Sequence, residues 1–343
     1  MPDLDVSLDF PFAFGEPAVG ALLKSDNQHF FVDEQLGFSP EAVGEHLLLH
    51  VESNGENTQW FADQLAQALG VSKTDVGFCG LKDRNAITRQ WFSVYDPKRT
   101  ATEKVDAAFA SLSASRLLEA TRGKSKLRRG DHAGNAFVIT LVLDDGTEAA
   151  ALADLEQRLA QVAQQGVPNY FGLQRFGRKG NNLVAFEQWL VQSQARAATA
   201  KRGRGPRKPK GIILSSARSF LFNAVLSQRV LSGSWATLID GDVSLDGLPS
   251  APLWGRGRSA TQGEALALER AALMPFCRWS NALEHLGLQQ ERRALVCRPR
   301  NLRWKRTELV LTLTFDLPPG QYATGVLREL CLCREPSREI IGA

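Results

Sequence analysis

An α+β fold is what the order of elements predicts. Strand-like and helical patterns alternate through about the first 150 residues. A helix-rich stretch holding a Gly/Pro/basic segment runs from about 166 to 299, and strand character returns at Glu308–Phe315. A mixed sheet with helices on one side, interrupted by an inserted segment and completed by a late strand, accommodates that order.

Taken in turn, Phe30-Phe31-Val32-Asp33 and Glu45–Val51 read as strands, the second closed by the turn residues Ser53-Asn54-Gly55. Asn57 or Thr58 then caps a helix. Phe61, Leu65, Ala68 and Leu69 form its apolar stripe, and Gly70 ends it. Val76–Cys79 and Gln90–Tyr95 are two further short strands, and Asn135–Leu143 is a long one stopped by Asp144-Asp145-Gly146. Leu152, Leu155, Leu159 and Val162 mark an amphipathic helix that Gly166 and Pro168 terminate. Alternation in Glu308–Phe315 gives a strand, and Ala323, Val326, Leu327 and Leu330 give a last helix from about Tyr322.

A chain of 343 residues is long enough for two sizeable cores. With 43% hydrophobic and 23% charged residues it has the composition of a globular protein, which excludes the fibrous and disordered classes. No apolar run approaches the roughly 18–20 residues that span a bilayer. The start, Met1-Pro2-Asp3-Leu4-Asp5, lacks a basic region leading into an apolar segment, so a cytoplasmic location is expected. The five cysteines are scattered apart from Cys331-x-Cys333, which predicts reduced thiols with neither zinc nor a structural disulfide. His46 and His50 share one strand face, as paired core or surface histidines do.

The net charge of +4 does not by itself demand a nucleic-acid partner, but its distribution is uneven. Arg122–Arg129 packs five cations without an acid, Lys201–Lys210 packs six, and Arg292, Arg293, Arg298, Arg300, Arg303, Lys305 and Arg306 form a third cluster. Such clusters neutralise a phosphate backbone, although each alone can be a solvated face. The stretch 201–210 buries too little apolar surface to pack and reads as a loop.

The most informative string is Gly80-Leu81-Lys82-Asp83-Arg84-Asn85-Ala86-Ile87-Thr88-Arg89-Gln90, which places a carboxylate between two cations in a loop flanked by strands. A surface Lys-Asp-Arg triplet can be merely solvated. Further strings accompany it. Upstream are Leu22-Leu23-Lys24, Phe30–Phe38, Gly44-Glu45-His46 and Asn57-Thr58. Downstream come Gly134-Asn135-Ala136-Phe137, Val167-Pro168-Asn169-Tyr170-Phe171-Gly172-Leu173-Gln174-Arg175-Phe176-Gly177, Ser216-Ala217-Arg218-Ser219 and Leu317–Thr324.

In that order the strings resemble the TruD family of tRNA pseudouridine synthases, over nearly the whole chain. The resemblance implies a mixed, mainly antiparallel pseudouridine-synthase sheet with flanking helices, spanning 1–165 and 301–343, interrupted by an inserted α/β TRUD domain at 166–300. It implies that a uridine of tRNA, at position 13 in the D-arm, is isomerised to pseudouridine. The N1–C1′ bond breaks and the base is rejoined through C5, with no redox change and no cofactor. tRNA is then the partner, with neither a membrane nor a protein partner required.

Carried onto this chain, Asp83 is the essential carboxylate, acting either as a nucleophile on C1′ or as a base at C2′. Lys24 is the cation beside it; Lys82 and Arg84 could be partners of Asp83 too, or else point away from it or meet phosphates. The flipped-out base is held by Phe137, by Asn135 and by Tyr322, where the family often has phenylalanine. Asn169 and Arg175 are further substrate-binding candidates that could instead shape a junction between domains. Two rivals remain at the level of sequence. A non-catalytic RNA-binding protein would leave Lys24, Asp83 and Asn135 superfluous. A nucleoside or glycoside hydrolase would need a second carboxylate or a metal that the strings do not supply.

Overall fold

The computed structural model describes residues 6–112, 114–199 and 209–336, so residues 201–208 of the basic loop lie outside the described residues. In chain order the elements begin with β1 (Gly20–Leu23), β2 (Phe30–Leu36), β3 (His46–Asn54), α1 (Thr58–Leu69), β4 (Val76–Phe78), β5 (Ile87–Tyr95), α2 (Thr102–Ala110), β6 (Ser115–Gly123), β7 (His132–Leu143) and α3 (Ala149–Gln165). They continue with β8 (Val167–Pro168), α4 (Asn181–Thr199), α5 (Gly211–Leu231), β9 (Ser244–Leu245), β10 (Leu248–Leu253), α6 (Gly263–Leu273), α7 (Cys277–His285), β11 (Glu291–Ala294) and β12 (Val296–Cys297). The chain closes with β13 (Arg300–Thr307), β14 (Val310–Leu317), α8 (Ala323–Arg328) and β15 (Leu332–Arg334).

Contacts divide the chain into two compact units: Ala18–Glu156 with Pro299–Gly320 and the chain from Cys331, and Gln157–Arg298 with the chain up to Pro17 and Gln321–Leu330. The first unit is built on one sheet of order β13-β14-β7-β2-β5-β3-β6, with β1 beside β7 and β15, and β4 beside β5. Its pairings are antiparallel except β2 with β5 and β1 with β15. The fold is therefore α+β with a mixed, mainly antiparallel sheet, and the late strand β14 returns to the first sheet by pairing with β7.

Register fixes which side chains share a face, because residues directly opposite on paired strands point the same way. Leu49 pairs with Phe92 and Leu47 with Val94, and these residues with Val51 pack against Phe61, Ala62, Leu65, Ala66 and Leu69 of α1 and Val105, Ala108 and Phe109 of α2. Helix α1 starts where the Asn57 side chain accepts from the backbone N–H groups of Gln59 and Trp60, and it ends at Gly70 with φ 70°. Helix α3 lies on the same side: Glu156 accepts from Trp304 Nε1 (3.1 Å) and Arg306 Nε (3.2 Å), and Trp304 pairs with Leu313.

Strand β13 is the element the sequence hid. Its burial alternation is absent because it is an edge strand with β14 as its neighbour, so its Arg300-Asn301-Leu302-Arg303-Trp304-Lys305-Arg306 run is exposed almost throughout.

The second unit packs around α5, whose Phe220, Leu221, Phe222, Val225 and Leu226 sit in a core with Tyr170, Phe176, Phe186 and Trp279. The N-terminal segment belongs to this core. Phe10 stacks on Tyr170 at 5.2 Å, and Arg328 donates to the carbonyl of Pro11.

Candidate active site

Asp83 lies in the loop between β4 and β5, strands that pair antiparallel with Phe78 opposite Phe92. The loop is pinned on the near side of Asp83. Gln90 Nε2 donates to the Gly80 carbonyl (2.6 Å), the Lys82 N–H donates to Thr58 Oγ1 (2.9 Å), and Thr58 Oγ1 donates to Gln90 Oε1 (3.1 Å). On the far side Asp83 Oδ1 accepts from the Asn85 N–H at 3.0 Å, an Asx turn that fixes its own carboxylate. The carboxylate stays accessible, with its side chain 43% exposed.

Lys24 follows β1 directly and is only 5% exposed. Its ammonium pairs with Asp83 Oδ2, lies 3.0 Å from Glu335 Oε1 and sits 4.8 Å from the centre of the Phe30 ring. Glu335 reaches Lys24 because β15 runs parallel to β1, with Leu22 opposite Arg334. Sequence reasoning missed Glu335: nothing local marks a residue just past a short terminal strand as a neighbour of residue 24.

Lys82 turns away from Asp83. Its ammonium lies 2.5 Å from Glu34 Oε2 and 2.8 Å from Asn135 Oδ1, with the Lys82 and Glu34 side chains 6% and 0% exposed. Glu34 Oε1 also accepts from the Trp91 N–H at 3.2 Å. Glu34 and Asn135 face each other across β2 and β7, so the sheet register itself brings them together. Glu34 was part of a noted string, but its role emerges only from that pairing. Phe137 is buried two residues further along the same face. Its ring stacks on Phe315 at 5.3 Å and meets the edge of Phe30 at 6.2 Å. His132, 3.5 Å from the Asn135 amide nitrogen, has its pKa lowered by burial.

Asp83, Lys24, Asn135 and Phe137 thus fall in the sheet unit, whereas Asn169, Arg175 and Tyr322 fall in the other. There the latter three gather around Phe171. Arg175 lies 5.7 Å and Tyr322 6.2 Å from its ring centre, and Arg293 lies 4.2 Å from it while donating to Asn169 Oδ1 at 2.6 Å. Asn169 also donates to the Ala294 carbonyl at 2.8 Å. Burial pushes the Arg293 pKa down to about 10.

The basic clusters are thinner than they read. Arg122 is tied to Asp96 and Lys124 to Glu41, while Arg292 is tied to Glu269, Arg293 to Asn169 and Arg306 to Glu156. Arg128, Arg298, Arg300, Arg303 and Lys305 are exposed.

The solved tRNA pseudouridine synthase D (TruD) from Methanosarcina mazei superposes with a TM-score of 0.70 at 19% identity, over 96% of this chain and 98% of that one. At that identity the likeness speaks for the fold. Residues 10–202 match the family described as tRNA pseudouridine synthase D (TruD). The tRNA pseudouridine synthase D of Cellvibrio japonicus is 44% identical over 328 residues, 95% of this chain and 94% of that protein. That of Aeromonas salmonicida is 40% identical over 348 residues, 94% of each. The chain belongs to the TruD family of pseudouridine synthases, and so to the isomerases. No helix among the described residues is long and apolar enough to cross a membrane.

Proposed function

We propose that the protein isomerises one uridine of tRNA, at position 13 in the D-arm, to pseudouridine in the cytoplasm, with Asp83 as the catalytic group. The observation that carries this reading is the accessible Asp83 carboxylate paired with the nearly buried Lys24 ammonium, in a chain of this family. A cation held against the carboxylate favours its charged form, which either route at the sugar requires. The N1–C1′ bond breaks, the base turns within the site, and a bond from C5 to C1′ replaces the one lost. Electrons and protons balance within the nucleotide, so the chemistry asks for no cofactor.

We assign catalysis to 1–165 and 301–343 and substrate engagement to the 166–300 insertion. Because an enzyme cannot reach a glycosidic bond inside a stacked helix, the target base is flipped out. Asn135 recognises it, Phe137 walls the site and Tyr322 contributes a further ring. Asn169 and Arg175 serve the same substrate from around Phe171, Asn169 acting through Arg293. Glu335 does supply a second carboxylate beside Lys24, as a hydrolase would want, but the family match favours the isomerase.

Mapping pseudouridine, by a chemistry that marks this base, on unmodified tRNA incubated with the protein tests the reading. One new pseudouridine in the D-arm is expected. Modification elsewhere would refute the site, and none at all would refute the activity.

A further inference from the structure

The buried Lys82–Glu34 pair lies outside the Asp83–Lys24 couple, yet it touches a residue assigned to the base. We propose that Lys82 is a positioning residue whose ammonium fixes the Asn135 amide, so that the site presents a hydrogen-bond donor and accepts a base by its carbonyl oxygens. This rests on the pseudouridine synthase reading above and adds a determinant of base selectivity to it.

An ammonium has three donors and no acceptor, so only the carbonyl end of an amide can face it. Asn135 Oδ1 lies 2.8 Å from Lys82 Nζ, and of the two hydrogens at the NH2 end one is directed to His132 Nε2 at 3.5 Å, which leaves the other to offer a base. Lys82 cannot swing elsewhere at little cost. Its side chain is 6% exposed, its charge is balanced by the wholly buried Glu34, and its backbone N–H is tied to Thr58. A buried cation torn from that carboxylate would leave two uncompensated charges. The direction of the Asn135 amide is therefore set by a pair formed with the fold, before any substrate arrives.

A donor suits the reaction. Uracil carries carbonyls at C2 and C4, and turning the freed base by half a revolution about its N3–C6 axis exchanges N1 with C5 and C2 with C4. A fixed NH2 group that holds one carbonyl before the turn meets the other after it. Cytosine breaks this symmetry, because its C4 amino group would set donor against donor, an arrangement a hydrogen-bonding site rejects strongly. The same ammonium also anchors the residue next to Asp83 in sequence, so one side chain couples the catalytic loop to base recognition.

The test uses single-turnover rates on tRNA whose target uridine is replaced by 2-thiouridine or 4-thiouridine, sulfur being the weaker acceptor. With wild-type protein, at least one thio-substituted tRNA should react about tenfold slower than the normal one. Lys82→Met should slow the normal tRNA by about 10–100-fold, Lys82→Arg should restore part of that loss, and the thio penalty in Lys82→Met should shrink below about threefold because the amide is free to turn. Intrinsic effects of sulfur on the chemistry are common to both proteins and cancel in that ratio. A merely structural lysine would slow all three tRNAs alike. Should Lys82→Met fail to fold, Lys82→Met/Glu34→Gln removes the stranded carboxylate and is read in the same way. A folded variant that keeps the wild-type rate, or the full thio discrimination, overturns the role of Lys82 alone. A wild-type protein that makes no pseudouridine overturns the functional reading and this inference with it.

Discussion

Lys24 holds a left-handed backbone, φ 58°, that side chains other than glycine rarely adopt. Such a conformation costs on the order of 1–3 kcal/mol and persists where neighbours over-determine it. Here the ammonium is held by Asp83, Glu335 and the Phe30 ring. Lys24→Met keeps the apolar stem and removes the charge, and it should lower the single-turnover rate by about 10–100-fold, the worth of a charged hydrogen bond. A rate within about twofold of wild type would take Lys24 out of the site. Two histidines give the residue scale a pH signature. Burial lowers the pKa of both His46 and His132, so the folded state prefers them neutral. The unfolded chain then binds more protons as pH falls below about 6.5, and stability present above that value is lost on acidification. Thermal melts between pH 7.5 and 5.5 should show Tm falling, and falling less in the His46→Gln/His132→Gln double variant.

At the scale of elements, α1 links sequence to site most directly. Its N-terminal Thr58 anchors the Asp83 loop, and its stripe packs the sheet. Phe61, 1% exposed in that interface, should cost about 3–5 kcal/mol when replaced by alanine, read by denaturant unfolding. The cap at Asn57 and the stop at Gly70 were legible because capping and left-handed termini have local residue signatures. Strand β13 was not, because an exposed edge strand needs no apolar alternation and a run of arginines reads as a charge cluster. Its Arg303 and Lys305, exposed at alternate positions of the strand, are candidates to meet phosphate. If both do so, Arg303→Gln/Lys305→Gln should lower the salt-dependence slope of tRNA binding by about 2. An unchanged slope would remove β13 from the RNA-binding surface.

For the molecule as a whole, periodicity and turn residues made the α+β order readable, while long-range closure was not. Nothing in Phe10 or Phe14 foretells that the N-terminal segment packs with Tyr170 and Trp235, nor that residues 321–330 join that unit. A boundary drawn at Gly166 follows a helix stop, whereas contacts divide the chain between Glu156 and Gln157. The candidate site was legible to the same depth. Asp83, Lys24, Asn135 and Phe137 stand out in strings, but Glu34 and Glu335 acquire meaning only through strand pairing. We propose that the accessible Asp83 carboxylate is the group that makes this protein a pseudouridine synthase. The most direct test compares wild type with Asp83→Asn for pseudouridine formation on unmodified tRNA, with tRNA affinity measured on both proteins. The expected result is one modified D-arm uridine with wild type, none with the variant, and tRNA affinity retained to within about threefold. Pseudouridine formed by Asp83→Asn at the wild-type rate would contradict the account.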